Sequence, residues 1–303
     1  MAPEAREAGA SPPHPTARPR VSAVIPAQDE ARNIGWVLRR LPSCVDEVLV
    51  VDGTSTDGTI EVARTVRPDV VVVSDREPGK GCALRAGVAA ATGEYVVILD
   101  ADGSMDPAEI ERFIAALDDG HDLAKGSRFL RDGGTADMTP LRDAGNKGLL
   151  LVSNLLYGRR HTDLCYGFAA FRRSAFEGLE LTATGFEIEA QLFLRATRHG
   201  LRVTEVPSFE APRRYGNSNL NTFRDGWRVL RTILGERVRR VPRPAPAGAQ
   251  PAMAQPAVGQ AATAQLLYTT EPVFGEMAAA RPESLQGRTS GLGRVPLGHN
   301  APD

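Results

Sequence analysis

The chain has 303 residues, 36 basic against 37 acidic, of which 42% are hydrophobic and 6% aromatic, enough apolar material for one sizeable core. A formal charge of -1 argues against a general nucleic-acid binder, which needs a net positive field to neutralise phosphates. Three widely spaced cysteines, Cys44, Cys82 and Cys165, make neither a disulfide framework nor a CxxC metal pair, so a reducing, cytoplasmic setting is expected.

Residues 1–20 carry proline and charge without the apolar run of a secretory signal, and are expected to be a disordered segment that directs no export. From residue 21 the pattern alternates. Short β-branched or aliphatic runs at Val21–Pro26, Glu47–Asp52, Val70–Val73 and Tyr95–Asp100 predict buried strands. Amphipathic stretches at Ala31–Leu41, Asp57–Val66, Lys80–Ala91 and Pro107–Leu117 predict the helices between them, the last with Asp106 as N-cap and Pro107 at its first position. Such alternation implies a mostly parallel sheet with helices on both faces. The second half is less regular, with strands expected near Leu123–Gly126, Phe168–Arg172 and Arg202–Val206 and helices at Leu141–Leu156 and Phe186–Thr197. These complete a mixed α/β sheet in one domain, residues 21–240. The longest greasy stretch, Leu149–Tyr157, is too short for a membrane-spanning helix, which needs roughly 18 to 20 apolar residues. Fourteen of the 22 prolines fall in residues 1–20 and 241–303, and the Ala/Pro/Gln-rich tail 241–303 is expected to be disordered, with one short apolar island at Leu266–Tyr268 and Val273–Phe274.

In open α/β sheets ligands bind beyond the carboxyl ends of the strands. Three predicted strands end there in acids: Pro26-Ala27-Gln28-Asp29-Glu30, Asp52-Gly53-Thr54-Ser55-Thr56-Asp57, and Asp100-Ala101-Asp102-Gly103. Asp29 and Asp57 alone read equally well as caps or turn formers. Asp100 and Asp102, at i and i+2, can place two carboxylates around one Mg2+ or Mn2+ ion whose other ligands come from a substrate phosphate. Gly79-Lys80-Gly81 opens a helix with a permissive backbone and a cation, and Gly126-Ser127-Arg128 puts a second cation at a strand end. The five histidines are scattered without ligand spacing, which argues against zinc.

Taken in order, these motifs, with Asp163-Leu164-Cys165-Tyr166-Gly167-Phe168 and Arg213-Arg214-Tyr215-Gly216-Asn217-Ser218, closely resemble the GT-A family 2 glycosyltransferases. Within that family the likeness is to the dolichol-phosphate mannosyltransferase and polyprenyl-phosphate glucosyltransferase branch, over about residues 20–240. The resemblance implies a GT-A, Rossmann-like fold and a nucleotide-sugar donor. It implies that Pro26, Ala27, Glu30 and Asp52 hold the nucleoside, and that Asp100, Ala101 and Asp102 with Lys80 meet the metal and diphosphate. Arg128 and Arg213 would meet phosphates of donor or acceptor, with Glu187 or Glu189, and Asp163 behind them, near the acceptor. The sequence departs from the commonest pattern at Gly53, Ser104 and Asn219, where Asp, Gln and Lys are usual, so the donor sugar stays open between UDP-glucose and GDP-mannose types.

The implied chemistry is inverting transfer of a hexose to a polyprenyl or dolichyl phosphate, which is already ionised near neutral pH, its second pKa being about 6, and needs no strong base. A soluble hydroxyl acceptor would need one, with Glu187, Glu189 and Asp163 as candidates. A sugar nucleotidyltransferase and a non-catalytic nucleotide-sugar sensor are the remaining alternatives. Residues 213–240 hold eight arginines against Asp225 and Glu236, with Leu220, Phe223, Trp227, Leu230 and Leu234 recurring at helical steps. This basic amphipathic helix either lies at an anionic membrane surface, making the protein peripheral to it, or packs its apolar stripe on the catalytic domain.

Overall fold

The computed structural model describes residues 18–218 and 220–239. The two ends expected to lack structure, with the apolar island and Asn219, lie outside the described residues except for Arg18–Arg20. The first half alternates as the periodicity predicts: β1 (Val21–Pro26), α1 (Ile34–Arg40), β2 (Glu47–Val51), α2 (Thr59–Val66), β3 (Val71–Val73), α3 (Lys80–Ala90) and β4 (Tyr95–Ile98). A 3-10 turn at Pro107–Glu109 then leads into α4 (Ile110–Asp118), and Asp106 caps that turn by accepting the Ala108 N–H at 3.1 Å. The second half comprises β5 (Leu123–Ser127), β6 (Gly134–Thr135), α5 (Pro140–Tyr157), β7 (Ala169–Arg172), α6 (Arg173–Glu177), α7 (Ile188–Arg198), β8 (Val203–Pro207), β9 (Phe209–Glu210) and α8 (Thr222–Val238). The periodicity missed β6, β9 and α6. Elements of two to five residues are too short to show a period.

Seven strands form one sheet in the order β3-β2-β1-β4-β7-β5-β8, and β6 and β9 pair beside it. β7 alone runs antiparallel to its neighbours, pairing Ile98 with Ala169 on one side and Lys125 with Ala169 on the other. Strand residues alternate between two cores, as a period of two requires. Ala23, Ile25 and Val97 meet α1, α2 and α4 through Val37, Ala63 and Phe113. Val24, Val96 and Ile98 meet α3, α7 and α8 through Leu84, Phe193 and Ile233. Each fully buried aliphatic or aromatic side chain contributes about 1.5 to 3 kcal/mol, so neither face of the sheet can be left bare. The described residues belong to one compact unit. None of their helices is long and apolar enough to cross a membrane.

α8 packs through a different stripe from the apolar one in its sequence. Asp225, Val229, Ile233 and Glu236 face inward, while Phe223, Trp227 and Leu234 face solvent. The inward face is fixed by charge as well as by packing. Buried Arg195 on α7 pairs with Glu236 at 2.6 Å, and Gln191 donates to the same carboxylate at 2.8 Å. Burial pushes the Glu236 carboxyl up, but the bonds from Arg195 and Gln191 outweigh it and hold the group below the usual carboxylate range. Removing one partner leaves a buried uncompensated charge. Glu236→Ala is therefore expected to destabilise the protein by about 3 to 5 kcal/mol at neutral pH in chemical denaturation. Because the folded-state pKa is depressed, the pair's contribution is full above the ordinary Glu pKa and fades as pH falls through the folded value, so the gap to wild type should narrow in acid.

Candidate active site

β1, β2 and β4 run parallel and end on one edge, and β7, running the other way, begins there. The turn 163–168 before β7 is thereby delivered to the carboxyl edge, beside Gly126–Arg128 after β5. A cleft of about 470 Å³ opens along this edge. Pro26, Ala27, Glu30, Asp52, Lys80, Asp100, Asp102, Arg128, Glu189 and Arg213 all line it.

The loop after β1 turns through Asp29 in the left-handed region, φ 54°. It is tied to the loop after β2, where Thr59 Oγ1 accepts the Glu30 N–H and Asp57 accepts the Ala31 N–H. Asp29 and Asp57 thus shape the rim. Asp52 does more: its Oδ1 accepts the N–H groups of Thr54 and Ser55, while its buried Oδ2 has no protein partner among the described residues. An unpaired buried carboxylate oxygen is costly and marks a place where a ligand donor fits. Gly53 beside it is required by close approach, because a Cβ there would stand 2.0 Å from the Asp75 carbonyl oxygen. The aspartate usual at this position does not fit this backbone.

Two bridged charge clusters line the cleft. Lys80 Nζ lies 2.5 Å from Asp100 and 2.7 Å from Glu189, all three largely buried. Arg213 bridges Glu30 and Asp102, reaching the latter at 3.3 Å, while Asp102 also accepts the Ser104 N–H at 2.9 Å. Four carboxylates against two cations leave excess negative charge. Burial pushes the Asp100 carboxyl up to about 6, with Asp102 and Glu189 adding to the rise and Lys80 opposing it. Burial also pushes the Glu30 carboxyl up, opposed by hydrogen bonds from Asn33 and Arg213. Hard oxygen donors with surplus negative charge are the donor set of a Mg2+ or Mn2+ site. Among the described residues no three His, Cys, Asp or Glu gather into a ready-made metal cage.

Other expectations are corrected by the packing. The glycines around Lys80 admit protein backbone in place of phosphate: a Cβ at Gly79 would lie 2.2 Å from the Thr184 carbonyl oxygen, and the Gly81 N–H donates to that oxygen at 2.9 Å. Ala101 is a core residue, absent from the cleft wall. Asp163 is fully buried off the cleft, its two oxygens engaging Arg128 at 2.7 and 3.0 Å. Arg128 also donates to Glu210 and the Cys165 carbonyl, which commits four of its five N–H groups to protein and makes it a wall-building residue more than a free phosphate ligand. Glu187 too is turned off the cleft, accepting the Thr184 and Gly185 N–H groups and pairing with Arg228 at 2.9 Å.

Another part of the lining lies outside the motifs read from the sequence. It comes from α5 through Arg142 and Asn146 and from α8 through Arg224 and Asp225. Asn146 is buried, and neither of its amide atoms has a partner among the described residues. Its signal in the sequence is a polar pair at i and i+4, Arg142 and Asn146, on the face that Leu149 continues inward.

The family model described as "Glycosyl transferase family 2" matches residues 22–179. A polyprenol monophosphomannose synthase of Mycolicibacterium smegmatis is 35% identical over 72% of this chain and 88% of that one. Glycosyltransferase AglJ of Haloferax volcanii is 34% identical over 68% of each chain. The chain is 32% identical to a low-salt glycan biosynthesis hexosyltransferase, Agl6, of Haloferax volcanii, of which it spans 53%. A solved structure of glucosyl-3-phosphoglycerate synthase from Mycobacterium tuberculosis, with Mn2+, uridine diphosphate and glucosyl-3-phosphoglycerate, superposes with a TM-score of 0.59 and 26% identity over 72% of this chain and 80% of that one.

The Asp100 cluster yields a direct test. In protein free of divalent cations the Asp100 carboxyl is expected to titrate at about 6 by carbon-detected NMR. Lys80→Met should move the midpoint higher, because it removes the cation that favours the ionised form. A midpoint near the ordinary value of about 3.9 contradicts the burial described.

Proposed function

Because the chain belongs to glycosyl transferase family 2 and has the GT-A fold, it is a glycosyltransferase, and we propose that it transfers a hexose from a UDP-glucose- or GDP-mannose-type donor to a polyprenyl or dolichyl phosphate, inverting the anomeric carbon with a divalent cation. Family membership sets aside the nucleotidyltransferase and sensor alternatives. The observation that carries the lipid-phosphate reading is the absence of a free base among the carboxylates expected to serve as one. Asp163 and Glu187 are turned off the cleft, and Glu189 is held by Lys80. A hydroxyl acceptor would need its proton removed, whereas a phosphate monoester is already ionised, its second pKa being about 6.

In this reading the nucleoside lies against Pro26, Ala27 and Glu30, with the free oxygen of Asp52 accepting from it. Lys80 and Arg213 flank the diphosphate. Asp100 and Asp102 would hold Mg2+ or Mn2+ with diphosphate oxygens as the remaining ligands, and the ion would neutralise charge on the leaving group. The acceptor enters past Arg142, Asn146 and Arg224. Its phosphate oxygen forms a bond to the anomeric carbon as the bond to the diphosphate oxygen breaks on the opposite face, and the nucleoside diphosphate leaves with the electron pair. Single displacement inverts the centre. A transfer to a soluble acceptor is supported by the likeness to glucosyl-3-phosphoglycerate synthase; there Glu189, released from Lys80, would act as base.

A panel of labelled UDP- and GDP-sugars, with a short polyprenyl phosphate or with 3-phosphoglycerate, separates these outcomes. The expected product is lipid-linked, with an anomeric configuration opposite to the donor's by NMR. Transfer to 3-phosphoglycerate alone would reject the lipid acceptor. Asp102→Ala is expected to lower the rate on the order of 100-fold or more, and excess chelator to abolish it. Undiminished transfer in chelator removes the metal from the scheme.

A further inference from the structure

We infer that Asn146 is a specificity-determining residue of the cleft, reading two adjacent hydroxyls of the hexose that is transferred. It sits on α5 one turn after Arg142, lines the cleft and is 6% exposed. Neither its Oδ1 nor its Nδ2 has a partner among the described residues. It stands in the interior of α5, where the backbone bonds to itself, so the amide caps no helix end. Packing gives no reason for an amide either. Leu149, three residues on, lines the same cleft with an apolar side chain of similar size. A buried donor and acceptor left unpaired are costly, and in a cleft wall they mark the place of a ligand's polar atoms.

The chemistry of the amide selects among the groups the reaction supplies. It offers two N–H donors and one carbonyl acceptor. An ionised phosphate oxygen only accepts, which would leave Oδ1 unpaired, and a divalent cation would take Oδ1 and leave Nδ2. A polyprenyl chain offers neither donor nor acceptor. A hydroxyl both donates and accepts, so two neighbouring ring hydroxyls satisfy both ends of the amide at once.

A nucleotide-sugar carries such hydroxyls on its ribose and on its hexose. The ribose goes with the nucleoside, which the residues after β1 and β2 hold in the reading above. α5 instead leads into the turn before β7, and Asn154 near its end ties it there by bonding the His161 carbonyl and N–H, each at 3.0 Å. The hexose is then the group that meets Asn146. Anions have other partners on this wall: Arg142 commits only its Nη1, to the Asp137 carbonyl and carboxylate at 3.1 Å, among the described residues. The inference rests on the hexosyl-transfer reading of the cleft and is independent of the acceptor.

Binding of UDP-glucose and GDP-mannose is measured by calorimetry in Mn2+ without acceptor, beside UDP, GDP and the deoxy analogues of each sugar. For the donor that the wild type prefers, loss of either of two adjacent hydroxyls is expected to weaken binding about tenfold, because it strands one end of the amide. Asn146→Leu should weaken binding of the complete donor by a similar factor, erase the discrimination at those two positions alone, and leave the affinity for UDP or GDP unchanged. Its melting temperature should equal or exceed that of the wild type, since an apolar side chain of similar volume replaces an unpaired amide. Asn146→Ala should lose the same discrimination. A wild type indifferent to every deoxy analogue, variants that keep the discrimination, a loss that falls equally on UDP or GDP, or a loss confined to the KM for polyprenyl phosphate would each overturn the assignment. Failure of the wild type to bind any nucleotide sugar would overturn it together with the reading of the cleft, whereas lipid-linked product with discrimination intact in both variants would fault Asn146 alone. Transfer only to 3-phosphoglycerate, with discrimination lost in the variants, would fault the acceptor and leave Asn146 standing.

Discussion

Lys80 sits buried between Asp100 and Glu189 and joins the start of α3, the end of β4 and the first turn of α7. Isolated, a buried ammonium costs several kcal/mol. Flanked by two carboxylates, it is held firmly protonated, because their attraction outweighs burial. The arrangement needs bare backbone around it: a Cβ at Gly167 would lie 2.6 Å from the ammonium, and one at Gly79 would strike the Thr184 carbonyl. Lys80 thereby aims Asp100 at the cleft. Arg213 does the same for Asp102 by bridging it to Glu30, so both carboxylates are oriented by cations that line the same cleft.

Topology supplies the rest of the floor. Inserting β7 antiparallel between β4 and β5 brings residues 163–168 to the carboxyl edge, where an all-parallel strand would have carried them to the far side. Arg128 then fastens this turn to the β9 strand through Asp163 and Glu210, with the Tyr166 ring 4.9 Å from its guanidinium carbon. The short β6 and β9 pairing positions Glu210 for that contact. Residues that looked catalytic in the sequence, Asp163 among them, hold the wall in place.

α5 and α8 complete the cleft lining with Arg142, Asn146 and Arg224, and the Arg195–Glu236 pair decides which stripe of α8 turns inward. A paired charge can override an apolar stripe because leaving Arg195 unpaired in the core costs more than exposing a few large side chains, which surfaces routinely tolerate.

The alternation of β1 to α4, the two-faced sheet and the gathering of Asp52, Asp100 and Asp102 at one edge were legible from residue order, because strand and helix periods and the carboxyl-edge rule are local or nearly so. Lys80 and Arg213, singled out from the same residue order, line the cleft at that edge. The direction of β7, the orientation of α8, the retirement of Asp163 and Glu187 from the cleft, and the entry of Asn146 were decided only in three dimensions. Each depends on a partner far along the chain: Arg128 for Asp163, Arg228 for Glu187, Arg195 for Glu236. Periodicity shows which residues share a face. Only the packed chain shows which of those faces meets a charge, a core or water.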